Sequence, residues 1–163
     1  MTARDDLSVS LGAAKRLADK LLDVLGDLAP YLPFDADRVE AAEAANSLLT
    51  DAFPKRFENL VNHLQDRLWR RVAVEQGFRD PALMSRRDLA DLMEKFGLLE
   101  SADAFAEMVK TRNRLLHMYP NDPARQATRL NQACEQSAVL LAAADAAQAW
   151  AARRLSPPPP ASP

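Results

Sequence analysis

The side chains with the clearest capacity for chemistry lie close together in the second half of the chain. Between positions 108 and 120, the chain supplies a cation, a proton carrier and a phenol at the predicted end of a helix: Arg112, His117 and Tyr119. Cations at this end of a helix are stabilised by the dipole, which also favours protonated histidine. The same residues therefore admit a purely structural interpretation, in which they complement the helix end before Pro120 stops it.

A single helix does not aim Arg112 and His117 at one atom. The two positions are five apart, so at ideal helix geometry their side chains diverge by roughly 140° around the axis. Tyr119, seven residues after Arg112, falls on the same face as the arginine, and Asn113 lies one turn before His117. A two-fold interface along this helix would bring the arginine and histidine of both chains into one cleft.

An arginine and a histidine in one cleft suffice for RNA cleavage without a metal or a cofactor. Arginine binds phosphate through a planar fork and stabilises the charge that grows in a phosphoryl transition state. Histidine gives or takes a proton near neutral pH. The 2′-hydroxyl would attack the neighbouring phosphate and leave a 2′,3′-cyclic phosphate, so the hypothesis predicts that DNA, which lacks this hydroxyl, survives.

The segment from Arg112 to Tyr119 resembles a known family motif. Arg112-Asn113-x-x-x-His117 is similar to the Arg-Asn-x-x-x-His signature of the HEPN superfamily of helical bundles, and the extension to Tyr119 resembles its HepT-type toxin branch. The resemblance implies a HEPN-like all-α bundle that forms a two-fold homodimer. It also implies RNA as the substrate of an endoribonuclease toxin and, as partner, a minimal nucleotidyltransferase antitoxin encoded nearby.

The resemblance also implies roles for the individual residues of the motif. Arg112 and His117 match the catalytic pair, and Asn113 matches a residue that shapes the site by hydrogen bonds. Tyr119 matches the tyrosine that accepts nucleotidyl groups from the antitoxin. A bulky anionic adduct on that phenol would block RNA and silence the toxin.

Other residues are candidates for supporting roles. Four cations are candidate phosphate contacts on charge alone, and a solvated surface role is an equal alternative for each of them: Lys110, Arg114, Arg125 and Arg129. The toxin branch often adds an acidic or polar side chain from an earlier helix. Asn62 and Asp66 are both candidates for that position, and the sequence does not choose between them.

The composition predicts helices and excludes several other classes. The 163 residues include 30 alanines, no isoleucine and four glycines, which disfavours sheets, because sheets pack best from β-branched and aromatic residues. The single cysteine, Cys134, and two histidines disfavour a disulfide scaffold and a Cys- or His-rich metal site. A net charge of −2 provides no global field for nucleic acid, so an RNA site must be local. With no secretory signal and no membrane-spanning run, we expect a cytoplasmic protein.

Apolar residues recur every three or four positions, which predicts an up-and-down bundle of about five helices. The predicted helices cover 8–28, 37–75, 86–96, 102–118 and 123–154, with a kink or a one-residue break at Pro54 in the second. Residues 1–155 are therefore interpreted as one HEPN-like helical domain. Residues 156–163, which include five prolines, are interpreted as a disordered proline-rich tail.

Several ends of these helices carry chemical signals in the sequence. Ser85, with Asp88 three residues later, is typical of a capping box at a helix start. Gly97 is placed like a glycine that ends a helix. Asp122 followed by Pro123 predicts an N-cap and the first position of the last helix.

Two alternatives to the ribonuclease toxin stay open from the sequence. A non-catalytic HEPN module would bind nucleotide or substrate for a partner nucleotidyltransferase. A structural helical adaptor would use Arg112, His117 and Tyr119 only as cap and core residues. The first alternative predicts a stable complex without RNA cleavage, and the second predicts that replacing His117 changes the melting temperature and nothing else.

Overall fold

The chain folds as a bundle of helices. The structure is a computed structural model that describes residues 2–45, 52–115, 117 and 121–155. Over these ranges it contains no strand, and its helices are α1 (Ala3–Leu28), α2 (Ala36–Ala45), α3 (Phe53–His63), α4 (Trp69–Glu75), α5 (Arg86–Lys95), α6 (Ala102–Leu115) and α7 (Pro123–Leu155). A π-helical segment, Leu64–Leu68, joins α3 and α4 into one rod, so the described residues form six helical rods. The all-α bundle predicted from the sequence is confirmed.

The first helix begins five residues earlier than predicted, because a capping box at its start was missed. The Thr2 hydroxyl accepts a hydrogen bond from the backbone N–H of Asp5 at 3.2 Å. The Asp5 carboxylate in turn accepts from the backbone N–H of Thr2 at 2.8 Å. These two bonds satisfy N–H groups that have no partner inside the helix, so the helix extends to Ala3.

The predicted second helix, 37–75, corresponds to two elements, which raises the number of rods from the predicted five to six. α2 and the α3–α4 rod flank residues 46–51, which lie outside the described residues. Pro54 lies in the first turn of α3 and not at a kink inside a long helix. A proline in the first turn costs little, because the N–H it lacks would have no partner inside the helix.

The predicted helix ends at Ser85, Gly97 and Asp122 are confirmed. The Ser85 hydroxyl accepts from the Asp88 N–H at 3.0 Å, and the Asp88 carboxylate accepts from the Ser85 N–H at 3.2 Å. Hydrogen bonds from the Ser85 side chain and backbone hold the pKa of Asp88 below its ordinary value. Gly97 follows α5 with a φ of 72°, and the Arg125 N–H donates to Asp122 Oδ1 at 3.0 Å.

The core fixes the arrangement of the α3–α4 rod against α6. α1 packs against α3, α4 and α7, and α6 packs against α3, α5 and α7. Trp69 of α4 is fully buried, and its ring centroid lies 4.6 Å from that of Phe105 on α6. Buried aromatic side chains make large contributions to core packing, so this contact helps to hold the α3–α4 rod against α6.

The helix that carries the motif ends earlier than predicted. α6 ends at Leu115 and not at 118, and His117 lies in a bend with its backbone N–H 3.2 Å from the carbonyl oxygen of Arg114. Proline disfavours helix at the residues before it, and α6 ends five residues before Pro120. The expected helical adjacency of Asn113 and His117 is therefore wrong. The predicted tail, 156–163, lies outside the described residues.

A side chain in the middle of α7 holds the segment that precedes α2. The Phe34 backbone N–H donates to Asn131 Oδ1 at 2.7 Å, and Asn131 Nδ2 donates to the Phe34 carbonyl at 2.9 Å. Phe34 is itself 5% exposed. The pair of bonds satisfies both backbone groups of a buried residue outside a helix, which is a requirement of any such segment.

We expect Asn131→Ala to lower the free energy of unfolding by about 1–3 kcal/mol, because the substitution leaves both Phe34 backbone groups without their partner. Gln132→Ala is the matched control, since Gln132 is exposed one residue further along α7. It should change the free energy of unfolding by less than about 0.5 kcal/mol. Urea denaturation at one protein concentration measures both variants, and equal losses would contradict this account of Asn131.

Candidate functional site

Arg112 lies in the last turn of α6, where amide groups from two helices hold its guanidinium group. Its Nε and Nη2 lie 3.0 and 2.8 Å from Asn113 Oδ1, and both donate to it. Its Nη1 donates to Asn62 Oδ1 of α3 at 2.5 Å. The side chain is half-buried, so its position is fixed by these bonds and by the packing of α3 against α6.

The partners of Arg112 leave its positive charge uncompensated. Both acceptors are neutral amide oxygens, and no carboxylate in the described part of the chain forms an ion pair with this guanidinium group. A guanidinium group has five N–H donors, and the three hydrogen bonds leave two of them available. The geometry is that of a held cation with free donors, which is suited to binding a phosphate group.

The structure separates the two candidates for the polar partner on an earlier helix. Asn62 contacts Arg112 directly. Asp66 instead accepts two hydrogen bonds from Arg86 of α5, each 2.9 Å long. The carboxylate that would have neutralised Arg112 is therefore paired elsewhere, and the arginine is held by an amide.

His117 is exposed just beyond the end of α6. Because α6 ends between Arg112 and His117, the angle of roughly 140° expected for these positions on one helix does not apply to this pair. Tyr119, the predicted modification site, lies outside the described residues.

The four cations predicted to contact RNA lie on two helices that pack against each other. Lys110 and Arg114 are on α6, one helical turn apart, and Arg125 and Arg129 are on the first turns of α7. Lys110 forms an exposed ion pair with Glu107 at 2.6 Å. The arrangement adds exposed positive charge near the end of α6, although Glu107 offsets the charge of Lys110.

A cleft between α1 and the α3–α4 rod is lined by three further arginines that the sequence analysis did not identify: Arg67, Arg70 and Arg71. The cleft has a volume of about 470 Å³, and Arg67 and Arg70 lie along it beside His63. His63 is half-buried, with Nε2 2.8 Å from the backbone oxygen of Ser10 and 3.2 Å from its hydroxyl. The sequence did contain a signal for this cleft. His63, Arg67 and Arg70 are spaced by four and three residues, which places them on one face of a helix.

Cys134 is a half-buried thiol in α7. Burial, reinforced by the nearby charge of Glu135, raises the pKa of Cys134 to about 12. Only the thiolate is strongly nucleophilic, so this residue is protonated and unreactive at neutral pH.

The described residues form neither a metal-binding cluster nor a membrane-spanning helix. Over the parts of the chain that the structure describes, no group of three or more His, Cys, Asp or Glu side chains is arranged to hold a metal ion. None of the described helices is long and apolar enough to span a membrane.

No family model, curated protein or solved structure matches this chain.

We expect iodoacetamide to leave Cys134 unmodified at pH 8 in the folded protein, because burial keeps the thiol protonated. In a chemical denaturant at about 6 M, which unfolds most domains, the same reagent should alkylate Cys134 at the rate of a free cysteine. Mass spectrometry of the intact protein measures both rates. Equal rates in the two conditions would contradict the buried, protonated thiol.

Proposed function

We propose that this protein is a metal-independent endoribonuclease toxin of a toxin–antitoxin pair, with a composite site at a two-fold interface. The observation that carries the proposal is the Arg112 guanidinium group, which amides of two helices hold without a neutralising carboxylate. A partly exposed guanidinium group that is held only by neutral acceptors keeps its charge and two N–H donors available for an anion. The resemblance of the Arg112–Tyr119 segment to the HEPN motif supplies the histidine and the class of anion.

The proposed reaction is an in-line transfer within the RNA. The 2′-oxygen forms a bond to the adjacent phosphorus while the bond from phosphorus to the 5′-oxygen breaks. One His117 removes the proton of the 2′-hydroxyl, and the other chain's equivalent histidine gives a proton to the leaving 5′-oxygen. Arg112 donates its two available N–H groups to the phosphate as negative charge grows on it. The products are a 2′,3′-cyclic phosphate and a 5′-hydroxyl.

A homodimer supplies what one chain lacks in this proposal. One chain has one arginine and one histidine of the motif, whereas two proton transfers require two proton carriers or one that acts twice. A two-fold axis near the end of α6 brings the second set to the same phosphate. Asn113 supports the site because its side-chain oxygen holds two donors of the Arg112 guanidinium group.

Control by an antitoxin is the second part of the proposal, and it rests on the resemblance. A nucleotidyltransferase encoded nearby would transfer nucleotidyl groups to Tyr119, two residues after His117 in the sequence. The added phosphates would compete with RNA for Arg112 through charge and volume. Stable binding to such a partner without any RNA cleavage would favour the non-catalytic module instead.

We expect the purified full chain to cleave single-stranded RNA in the presence of EDTA and to leave DNA of the same sequence intact. Arg112→Ala and His117→Ala should each lower the cleavage rate by about 100-fold or more, since each removes a group that acts on the reacting phosphate. Lys15→Ala, which removes a cation from the exposed Lys15–Asp19 pair on α1, is the control and should retain full activity. Gel electrophoresis and detection of the cyclic phosphate measure the outcome.

Intact RNA at high protein concentration would overturn the ribonuclease proposal. Loss of cleavage together with loss of the folded state would leave the variant uninformative, so circular dichroism and the melting temperature accompany each measurement. Arg112→Lys provides the second variant. It keeps the charge and loses the planar fork, and its cleavage rate should fall between those of the wild type and Arg112→Ala.

Asn62 gives a separate test of how Arg112 is held. We expect Asn62→Ala to reduce kcat by roughly 10- to 100-fold, because it removes one hydrogen bond of about 1.5–3 kcal/mol to a charged group. Asn62→Asp keeps an acceptor at the same place but neutralises the arginine. It should therefore hold or raise the melting temperature while it lowers kcat. If Asn62→Asp retained full activity, the uncompensated charge would not be the feature that matters.

A further inference from the structure

Two clefts adjoin on the face of the α3–α4 rod that lies beside α1, and together they are called the basic groove below. The larger, of about 470 Å³, extends from Asp6 on α1 to Pro81 after α4. The smaller, of about 400 Å³, extends from Leu17 on α1 to Asn59 and Asn62 on α3. Three residues line both clefts, so the groove is continuous past them: His63, Asp66 and Arg67.

We propose that the basic groove binds the phosphodiester backbone of single-stranded RNA and leads the strand to Arg112. The proposal rests on the ribonuclease function proposed above and names the surface that holds the substrate outside the reacting phosphate. The argument depends on the charges of the groove, on its backbone geometry and on its connection to Arg112.

Two cations that line the groove, Arg67 and Arg70, have no ion-pair partner among the described residues. Arg67 is exposed and has no hydrogen-bond or ion-pair partner among the described residues. Arg70 donates to the backbone carbonyl oxygens of Pro81 and Met84, which fixes its guanidinium group without neutralising it. Neither arginine therefore needs to break an ion pair before it binds a phosphate.

The two carboxylates of the groove are already paired. Asp66 accepts both of its hydrogen bonds from Arg86, which lies outside the lining of the two clefts. Asp6 pairs with Arg71 at 3.0 Å. With both acidic side chains neutralised by arginines, the net local charge is the positive charge of Arg67 and Arg70. An anion is the ligand that this arrangement favours.

The π-helical segment shapes the groove at the point where the two clefts meet. Leu64–Leu68 has the wider i→i+5 turn, and Asp66 and Arg67 belong to it. π-helical turns are rare and occur frequently at functional sites, because the extra residue redirects the side chains that follow. Here the segment keeps Leu64 and Leu68 fully buried while Arg67 remains exposed in the groove.

The groove reaches the proposed catalytic arginine through Asn62. This side chain lines the smaller cleft and also accepts the hydrogen bond from Arg112 Nη1. From Asn62 to Arg70 the rod advances eight residues, or about 12 Å at 1.5 Å per residue. That length accommodates more than one phosphate of an extended single strand. A strand in the groove would therefore place one phosphate near Arg112 and others near Arg67 and Arg70.

The lining also indicates how the RNA would be read. No Trp, Tyr or Phe lines either cleft in the described residues, so the groove offers no aromatic surface on which bases could stack. Arginine contacts to phosphate carry no sequence information by themselves. The groove is thus expected to bind RNA strands of different sequence with similar affinity.

A binding measurement tests the groove independently of cleavage. Fluorescence anisotropy of a labelled single-stranded RNA is measured against the full chain with His117→Ala, which prevents cleavage, over a range of salt concentrations. Adding Arg67→Ala should raise Kd by about threefold to tenfold. It should also reduce the slope of log Kd against log salt concentration by about 0.7. Arg67→Glu should weaken binding further. Lys15→Ala and Lys15→Glu, on the opposite face of α1 from Ala13 and Leu17, are matched controls and should change neither quantity.

The kinetic counterpart uses Arg67→Ala in the chain that retains His117. It should raise KM and leave kcat close to that of the wild type, because the contact binds substrate and transition state equally. Equal Kd and salt slopes for Arg67→Glu and Lys15→Glu would overturn the groove, whether or not the wild type cleaves RNA. The proposal would also be overturned if polyglutamate binding depended on Arg67 and RNA binding did not, since the groove would then bind an acidic protein. If Arg67 governs RNA binding and the wild type cleaves nothing, the groove stands and the ribonuclease proposal fails.

Discussion

The hydrogen bond between Asn62 and Arg112 is the interaction on which the functional account depends. It joins α3 to the last turn of α6, and the two residues are fifty positions apart in the chain. The buried contact of Trp69 with Phe105 packs the same α3–α4 rod against α6. Core packing thus determines where one charged side chain is presented, and the chemistry follows from that position.

An amide and a carboxylate at position 62 would differ in how strongly they bind Arg112 and in how many of its donors they leave for a phosphate. A carboxylate at position 62 would stabilise the arginine more strongly and would also occupy the donors that a phosphate needs. The nearby Asp66 could have had that role, but it pairs with Arg86. The fold therefore keeps a half-buried guanidinium group charged and partly unsatisfied. Such an arrangement leaves N–H donors with which the guanidinium group can bind an anion.

Helix ends set by local sequence were partly predictable, and features set by distant contacts were not. The capping box at Ser85, the glycine stop at Gly97 and the start at Asp122 each depend on residues within a few positions. The capping box of Thr2 and Asp5 is equally local and was missed. The spacing of Arg112 and His117 was visible in the sequence, and their role stays a prediction. The π-helical segment and the choice of Asn62 over Asp66 depend on tertiary packing, which no local pattern encodes. The early end of α6 was also missed, because helix ends depend on small differences among competing backbone hydrogen bonds.

The composite site is tested most directly by mixing the wild-type chain with His117→Ala. The two chains are unfolded and refolded together in equal amounts, so that about half of the dimers are mixed and about a quarter are wild type. If the histidines of both chains act on one phosphate, the mixed dimers are inactive, and about a quarter of the cleavage activity of the same amount of wild-type chain should remain. If about half of that activity remains while mixed dimers are present, each chain acts alone and the shared site is contradicted.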